Sequence, residues 1–358
     1  MKKRSTLAGK IKMGAGIVIL AAVAITINAC RKNCKEARPM PENGATVMVP
    51  VQTSQNTLSA VYSIAGIRKS ADGTTAEVFF SRNAEAFTVT DAAMIATLST
   101  ALQAGEPVRV TFNPWLKSVL QVTAPTYNER AAIIAHQAII GNNARKIDID
   151  HTDAGALDNA YAVINTTTTG LTSVIPDMAT AQAMFDYITH QCCADPGPYA
   201  IDFCISFQYC EDGCYARAHK MCWILNNKYH YATQKVFSFA NSGNDELCVQ
   251  AQKWGGCCVN WWYHVAPLVT IKTPTGPKAY VFDAAMFDQP VLLSTWLHAQ
   301  QNPACVPLGD VPHVSMINVQ PTTAYSPVGY SGTYFDTDPT YSSTDTTMVN
   351  YGPLVTCP

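Results

Sequence analysis

The sequence predicts an α+β protein in which a helix bearing a cysteine packs on an antiparallel sheet bearing a histidine and an aspartate, preceded by a smaller α+β unit. Three observations predict it. A glycine turn at Gly213 leads into a helix-like run with Cys214 at its start. Residues 259–271 alternate as a long strand that carries His264, and 279–283 form a second strand ending at Asp283. Thr273-Pro274-Thr275-Gly276-Pro277 lies between them and reads as the turn of a hairpin.

The chain has 358 residues, 48% of them hydrophobic and 14% charged, a length that corresponds to about two domains. The net charge of -2 gives no electrostatic case for nucleic acid. Residues 1–170 carry 17 basic and 12 acidic side chains, and residues 171–358 carry 7 and 14. Much of the early positive charge precedes residue 13, where Lys2, Lys3, Arg4, Lys10 and Lys12 stand before an apolar run over 14–27. That run is short for a membrane span, which needs about 20 apolar residues, and reads as an export signal. It ends in Ile27-Asn28-Ala29-Cys30, which has the form of a lipobox with Cys30 as the lipidated residue. Residues 1–29 are thus expected to be a signal peptide. The expected location is periplasmic or cell-surface, with membrane contact only through the signal or a lipid. The 13 cysteines suit an exported protein, and 11 of them follow residue 190. Eleven is odd, and five disulfides with one free nucleophile is the simplest partition.

Residues 30–45 contain Pro39 and Pro41 and read as a linker. Residues 46–170 form the smaller unit. Its expected strands are 46–51, 58–67, 76–80 and 108–112. One helix fits 91–104, capped by Thr90 and stopped by Gly105; a second fits 128–140, stopped by Gly141. A polar stretch ends in Thr166-Thr167-Thr168-Thr169-Gly170, the expected domain boundary. His136 and His151 lack partners at useful spacing, so this unit is expected to fold, chaperone or inhibit. In 171–358, Pro176 and Asp177 introduce a helix to about residue 191, with Met184, Phe185 and Ile188 as core. A helix over 214–226 takes Asp212 as its cap. Val259, Trp261, Tyr263 and Val265 are expected on one strand face, and Asn260, Trp262, His264 and Ala266 on the other. Beyond residue 320 the chain is rich in Thr, Ser, Tyr, Pro and Gly, and Cys357 is expected to pin its end by a disulfide.

A thiol at a helix start sees the positive end of the dipole, which favours the reactive thiolate. His264 can serve as base, and Asp283 on the neighbouring strand can fix its tautomer. This order of cysteine on a helix, then histidine and aspartate on a sheet, is the layout of papain-like proteases and transglutaminases. His219, five residues after Cys214, falls away from the thiol's side and reads as packing or surface. The adjacent pairs Cys192-Cys193 and Cys257-Cys258 lack zinc-ribbon spacing.

Four strings carry a resemblance: SVIPD at 173–177, DGCYARAHKM at 212–221, CCVNWWYHVA at 257–266 and FDAAMF at 282–287. They resemble the bacterial protein-glutaminase family, secreted deamidases made as pre-pro-enzymes. The resemblance covers 171–305 well and the tail more loosely, and 75–170 is similar to the family's pro-region. It implies a transglutaminase-like core that hydrolyses glutamine side chains in proteins or peptides to glutamate and ammonia. Cys214, His264 and Asp283 map onto the nucleophile, base and orienter, and 46–170 onto a pro-region that covers the cleft until proteolysis; with Cys30 lipidated, a cut near 169–171 by an activating protease is expected to uncover the cleft and release the enzyme. Trp261, Trp262 and Tyr263 are expected to wall the substrate slot. The implied enzyme is a monomer that needs no cofactor or metal. Cys192, Cys210, Cys222 and Cys248 are additional to the family pattern; Cys210 and Cys222 flank the catalytic turn. Acyl transfer to amines, papain-like peptide cleavage and a non-enzymatic disulfide-rich interaction module remain open readings of the same residues.

Overall fold

The computed structural model describes residues 57–113, 116–136, 145–149, 153–162, 170–193, 204–240, 245–250, 252–307 and 310–352. The signal, Cys30, the 30–45 linker, the strand expected over 46–51, Gly141, His151, Thr166 to Thr169 and Cys357 lie outside these residues. Among the described residues, no helix is long and apolar enough to cross a membrane.

The N-terminal unit contains β1 (Leu58–Tyr62), β2 (Ile64–Lys69), β3 (Ala76–Phe80), β4 (Ala86–Val89), α1 (Ala92–Ala104), β5 (Val108–Asn113), β6 (Ser118–Thr123) and α2 (Tyr127–His136). The single strand expected over 58–67 is broken at Ser63, and β4 and β6 were not expected. β4 is only four residues long, too short to signal a strand although Phe87 and Val89 point inward, and β6 is largely exposed with no clean alternation. The six strands form one sheet in the order β1-β5-β6-β4-β3-β2, antiparallel except where β4 meets β6. The α1 cap is Asp91 rather than Thr90: its carboxylate accepts from the Met94 N–H at 2.7 Å, a cap contribution of about 1 kcal/mol.

Consecutive residues of β3 serve two cores. Val78 and Phe80 join Tyr62, Phe87 and Phe112 in the unit's own core. Phe79 points the other way, and with Ala65 and Ala84 enters the core of the C-terminal unit. It meets Trp262 edge-on with ring centroids 5.9 Å apart and Tyr330 at 4.5 Å. A strand covered on both faces reads as an apolar run, as Val78-Phe79-Phe80 does here.

The C-terminal unit is built on an antiparallel six-stranded sheet. Its elements are β7 (Arg145–Asp148), α3 (Ala154–Ala160), α4 (Met178–Thr189), α5 (Cys214–Trp223), β8 (Gln234–Phe239), β9 (Asp245–Gln250), β10 (Cys258–Trp261), β11 (Tyr263–Thr273), β12 (Gly276–Val281), β13 (Val291–Leu292), α6 (Leu293–His298), β14 (Val311–Pro312), β15 (Met316–Pro321), β16 (Ala324–Pro327), β17 (Phe335–Thr337) and α7 (Ser342–Tyr351). The sheet order is β13-β12-β11-β8-β15-β7. The β11–β12 hairpin forms as expected, turning between Thr273 and Gly276. α5 is followed by a wider helical turn, Ile224–Lys228. Two elements before residue 170 belong to this unit. β7 is the sheet's edge strand, paired with β15. Asp158 of α3 caps α6 from outside, its two oxygens accepting from the Ser294 N–H at 2.9 Å and hydroxyl at 2.8 Å.

The long alternating strand is interrupted at Trp262, between β10 and β11. The break overturns the two-face assignment: the His264 ring stacks directly on Trp261, 4.4 Å between centroids at 14°. Disulfides join Cys193 to Cys204 and Cys258 to Cys305, and Cys192 and Cys257 are also disulfide-bonded. Cys222 and Cys248 are buried thiols alongside Cys214, so the five-disulfide partition does not hold.

Candidate active site

Gly213 adopts a left-handed conformation, φ 86°, and the helix begins at the next residue, Cys214. Asp212 does not cap it. Its carboxylate instead accepts from the Ala84 N–H at 2.8 Å and from the hydroxyls of Tyr351 at 2.8 Å and Tyr215 at 3.3 Å. Burial raises the Asp212 carboxyl to about 6 despite these donors. The buried Arg217 guanidinium reaches back and donates to the carbonyls of Asp212 at 2.7 Å and Tyr209 at 2.9 Å, which fixes the turn before the cysteine. A methyl group added at Gly213 would sit 2.9 Å from the Tyr351 ring, on top of about 1–2 kcal/mol for a left-handed side-chain residue. Gly213→Ala is therefore expected to lower the melting temperature and turnover together, readable by thermal unfolding and an ammonia assay.

The Cys214 thiol does not have the lowered pKa expected from its helix position. Burial pushes it up to about 12, against the pull of Arg217 and of the Val265 backbone N–H on the sulfur. In the uncut chain it is protonated.

His264 and Asp283 lie at hydrogen-bond distance. His264 Nε2 is 2.7 Å from Asp283 Oδ2, and both residues are buried. His264 Nδ1 is buried without a hydrogen-bond partner among the described residues. The Cys214 sulfur accepts from the backbone N–H of Val265, the residue after His264. Burial alone would raise the Asp283 carboxyl. The His264 ring and hydrogen bonds from it and Trp296 overcome that and hold it below the usual carboxylate range. Trp296, in α6, donates through Nε1 to the same Asp283 oxygen at 2.9 Å. The sequence reading missed it, because a tryptophan in a six-residue helix reads only as core.

Trp261, Trp262 and Tyr263 are fully buried. Trp261 lies against His264 and donates through Nε1 to the Glu211 carbonyl at 3.0 Å. Tyr263 points its hydroxyl at Ser326, 3.3 Å away. Trp262 meets the N-terminal unit: its backbone N–H donates to the Ala84 carbonyl at 3.0 Å and its indole N–H to the Asn83 carbonyl at 2.8 Å. Ala84 is fully buried in the same cluster as Cys214. The segment Asn83-Ala84-Glu85 thus lies against the cysteine turn, a role no sequence motif announced. Arg82, with φ 60°, makes the turn into it and pairs with Asp336 at 2.6 Å. His219, read as packing or surface, is buried with Nδ1 2.8 Å from Lys235 Nζ, and burial takes its pKa down to about 2.

Next to this segment, Lys117 Nζ lies 3.1 Å from Glu85 and 3.4 Å from Glu211, so one cation serves two carboxyls. Burial raises the Glu85 carboxyl well above its usual range; Lys117 opposes this, and Glu211 and Asp212 add to it. A carboxyl raised on docking contributes most below its undocked pKa, and the contribution is lost as pH rises through its docked value. Docking of the segment is therefore expected to weaken as the solution becomes alkaline. Glu85→Gln, neutral at every pH, should make Cys214 alkylation in the uncut chain slower than wild type at pH 8, with the difference shrinking towards pH 5. Equal rates at both pH values would contradict the assignment.

A family model described as Glutaminase matches residues 181–300. Among solved structures, a pro-protein-glutaminase is 24% identical with a TM-score of 0.61, over 84% of this chain and 95% of its own. A mutant of pro-protein-glutaminase is 25% identical with a TM-score of 0.61, over 83% of this chain and 93% of its own. The protein-glutaminase from Chryseobacterium proteolyticum, solved by NMR, is 34% identical over 52% of this chain and 93% of its own, with a TM-score of 0.44. No curated protein matches the chain. With the model spanning the cysteine, histidine and aspartate, and pro-form structures matching along most of its length, the chain belongs to the protein-glutaminase family.

Proposed function

We propose that the protein hydrolyses the side-chain amide of glutamine within proteins or peptides, giving glutamate and ammonia, with Cys214 as nucleophile, His264 as acid and base, and Asp283 as orienter. The carrying observation is the unpartnered Nδ1 of His264 next to the cysteine turn, with Nε2 committed to Asp283. His264 takes the thiol proton, and the thiolate attacks the side-chain carbonyl. Backbone N–H groups at the start of α5 suit the oxyanion. The imidazolium then protonates the departing ammonia, leaving a thioester, and neutral His264 activates the water that releases glutamate.

The Asn83-Ala84 backbone supports a protein-bound substrate. Asp212 accepts an N–H, and Trp262 donates to two successive carbonyls; all three contacts are to main chain. Any peptide offers the same groups, whereas free glutamine lacks the upstream carbonyl. Trp261, Trp262 and Tyr263 enclose this region.

We further propose that 46–170 is an inhibitory pro-region, that 1–29 is a signal peptide with Cys30 lipidated, and that a protease cuts near 169–171. Such a cut separates an exported catalytic unit, active as a monomer, from its anchor. Mass spectrometry of a glutamine-containing protein treated with the cut enzyme tests the reaction. The expected product has each modified glutamine changed to glutamate, with no added primary amine incorporated and no new peptide ends. Amine incorporation in place of hydrolysis, or new ends, would assign the site to transfer or proteolysis.

A further inference from the structure

We propose that Trp296 is the positioning residue of the His264–Asp283 pair, acting through its indole N–H rather than by filling space. The proposal rests on the catalytic reading of Cys214, His264 and Asp283 and adds to it a residue outside the three.

Asp283 is buried, and its carboxylate has few partners. Oδ2 receives His264 Nε2 at 2.7 Å and Trp296 Nε1 at 2.9 Å, while Oδ1 has the Met286 N–H at 3.3 Å. The Trp296 bond is thus the short one that does not come from the ring being oriented. A buried carboxylate keeps its charge and direction only through such donors. The Trp296 ring also lies near the imidazole, 5.5 Å between centroids at 27°, and Trp261 stacks on it at 4.4 Å.

Trp296 is itself fixed relative to His264. Gln300 Nε2 donates to the Trp296 carbonyl at 3.0 Å, and Gln300 Oε1 accepts from the Ser238 hydroxyl at 2.6 Å. Ser238 on β8 is the cross-strand partner of His264. All three side chains are fully buried. His264, Asp283, Trp296, Gln300 and Ser238 therefore close a ring of contacts, and the indole N–H is the link that reaches the carboxylate.

The test uses the full chain after activating cleavage. Trp296→Phe keeps an aromatic face and removes the donor. The benzothiophene analogue of tryptophan at 296 keeps shape and stacking and removes only the N–H. Both are expected to lower kcat by about ten- to a hundredfold, as for other oriented acid–base groups, with KM within about twofold. With the donor gone the carboxylate binds a proton more readily, so the acid limb of the kcat profile should move to higher pH in both. A benzothiophene variant with wild-type kcat and an unmoved acid limb would overturn the proposal, whatever Trp296→Phe does. Cys214→Ala in parallel separates the two readings: turnover retained there refutes the cysteine mechanism, while turnover lost there and intact in the benzothiophene variant refutes only the role of Trp296.

Discussion

Cys214→Ala is expected to remove ammonia release altogether, a fall of at least about 10⁴-fold as for other nucleophile deletions. Cys222 lies two turns along the same helix, and Cys248 is on β9 beside Asn260. Stability should change little, because alanine is the better helix former and the lost sulfur costs on the order of 1 kcal/mol. Unfolding curves should overlay while turnover vanishes. Turnover near wild type in a folded Cys214→Ala protein would refute the mechanism outright.

The second large effect is expected from freeing the cleft. The N-terminal unit is held by Arg82–Asp336, Arg68–Glu246 and Lys117 between Glu85 and Glu211, with Phe79 against Trp262. If these contacts favour the closed state by about 3 kcal/mol, about 1% of molecules are open, and removing the unit should raise activity about a hundredfold. Alkylation of Cys214 should accelerate in parallel, because solvent entering the cleft removes the burial that keeps the thiol protonated. Cutting and degrading the pro-region, then following ammonia and thiol labelling, checks both. An uncut chain as active as the cut one would refute the inhibitory role.

The site was legible where local signals and tertiary demands agree. Gly213 followed by an amphipathic run announces the turn and helix, and the turn at 273–276 announces the hairpin that delivers Asp283 beyond its end. It was not legible where one residue breaks a period or a partner is distant in sequence. Trp262 turns aside to bind Asn83 and Ala84, so alternation put His264 on the wrong face. Asp212 looked like a cap because caps are local, yet its partners are at 84 and 351. The thiol's protonation follows from its tertiary burial, which outweighs a dipole visible in the sequence. β7 was hidden in a polar stretch because an edge strand needs only main-chain partners.

If the chain is activated by the proposed cut, that edge strand separates cutting from activation. A cut near 169–171, as proposed, would break the covalent link but leave β7 hydrogen-bonded along Met316–Val319 and Asp158 still bound to Ser294. The nicked protein would then be a two-piece complex, and the proposed inhibitor would depart by dissociation. If that piece is the inhibitor proposed above, maturation acquires a delay set by an off-rate, and at high concentration rebinding should hold the enzyme silent until the severed piece is digested or washed away.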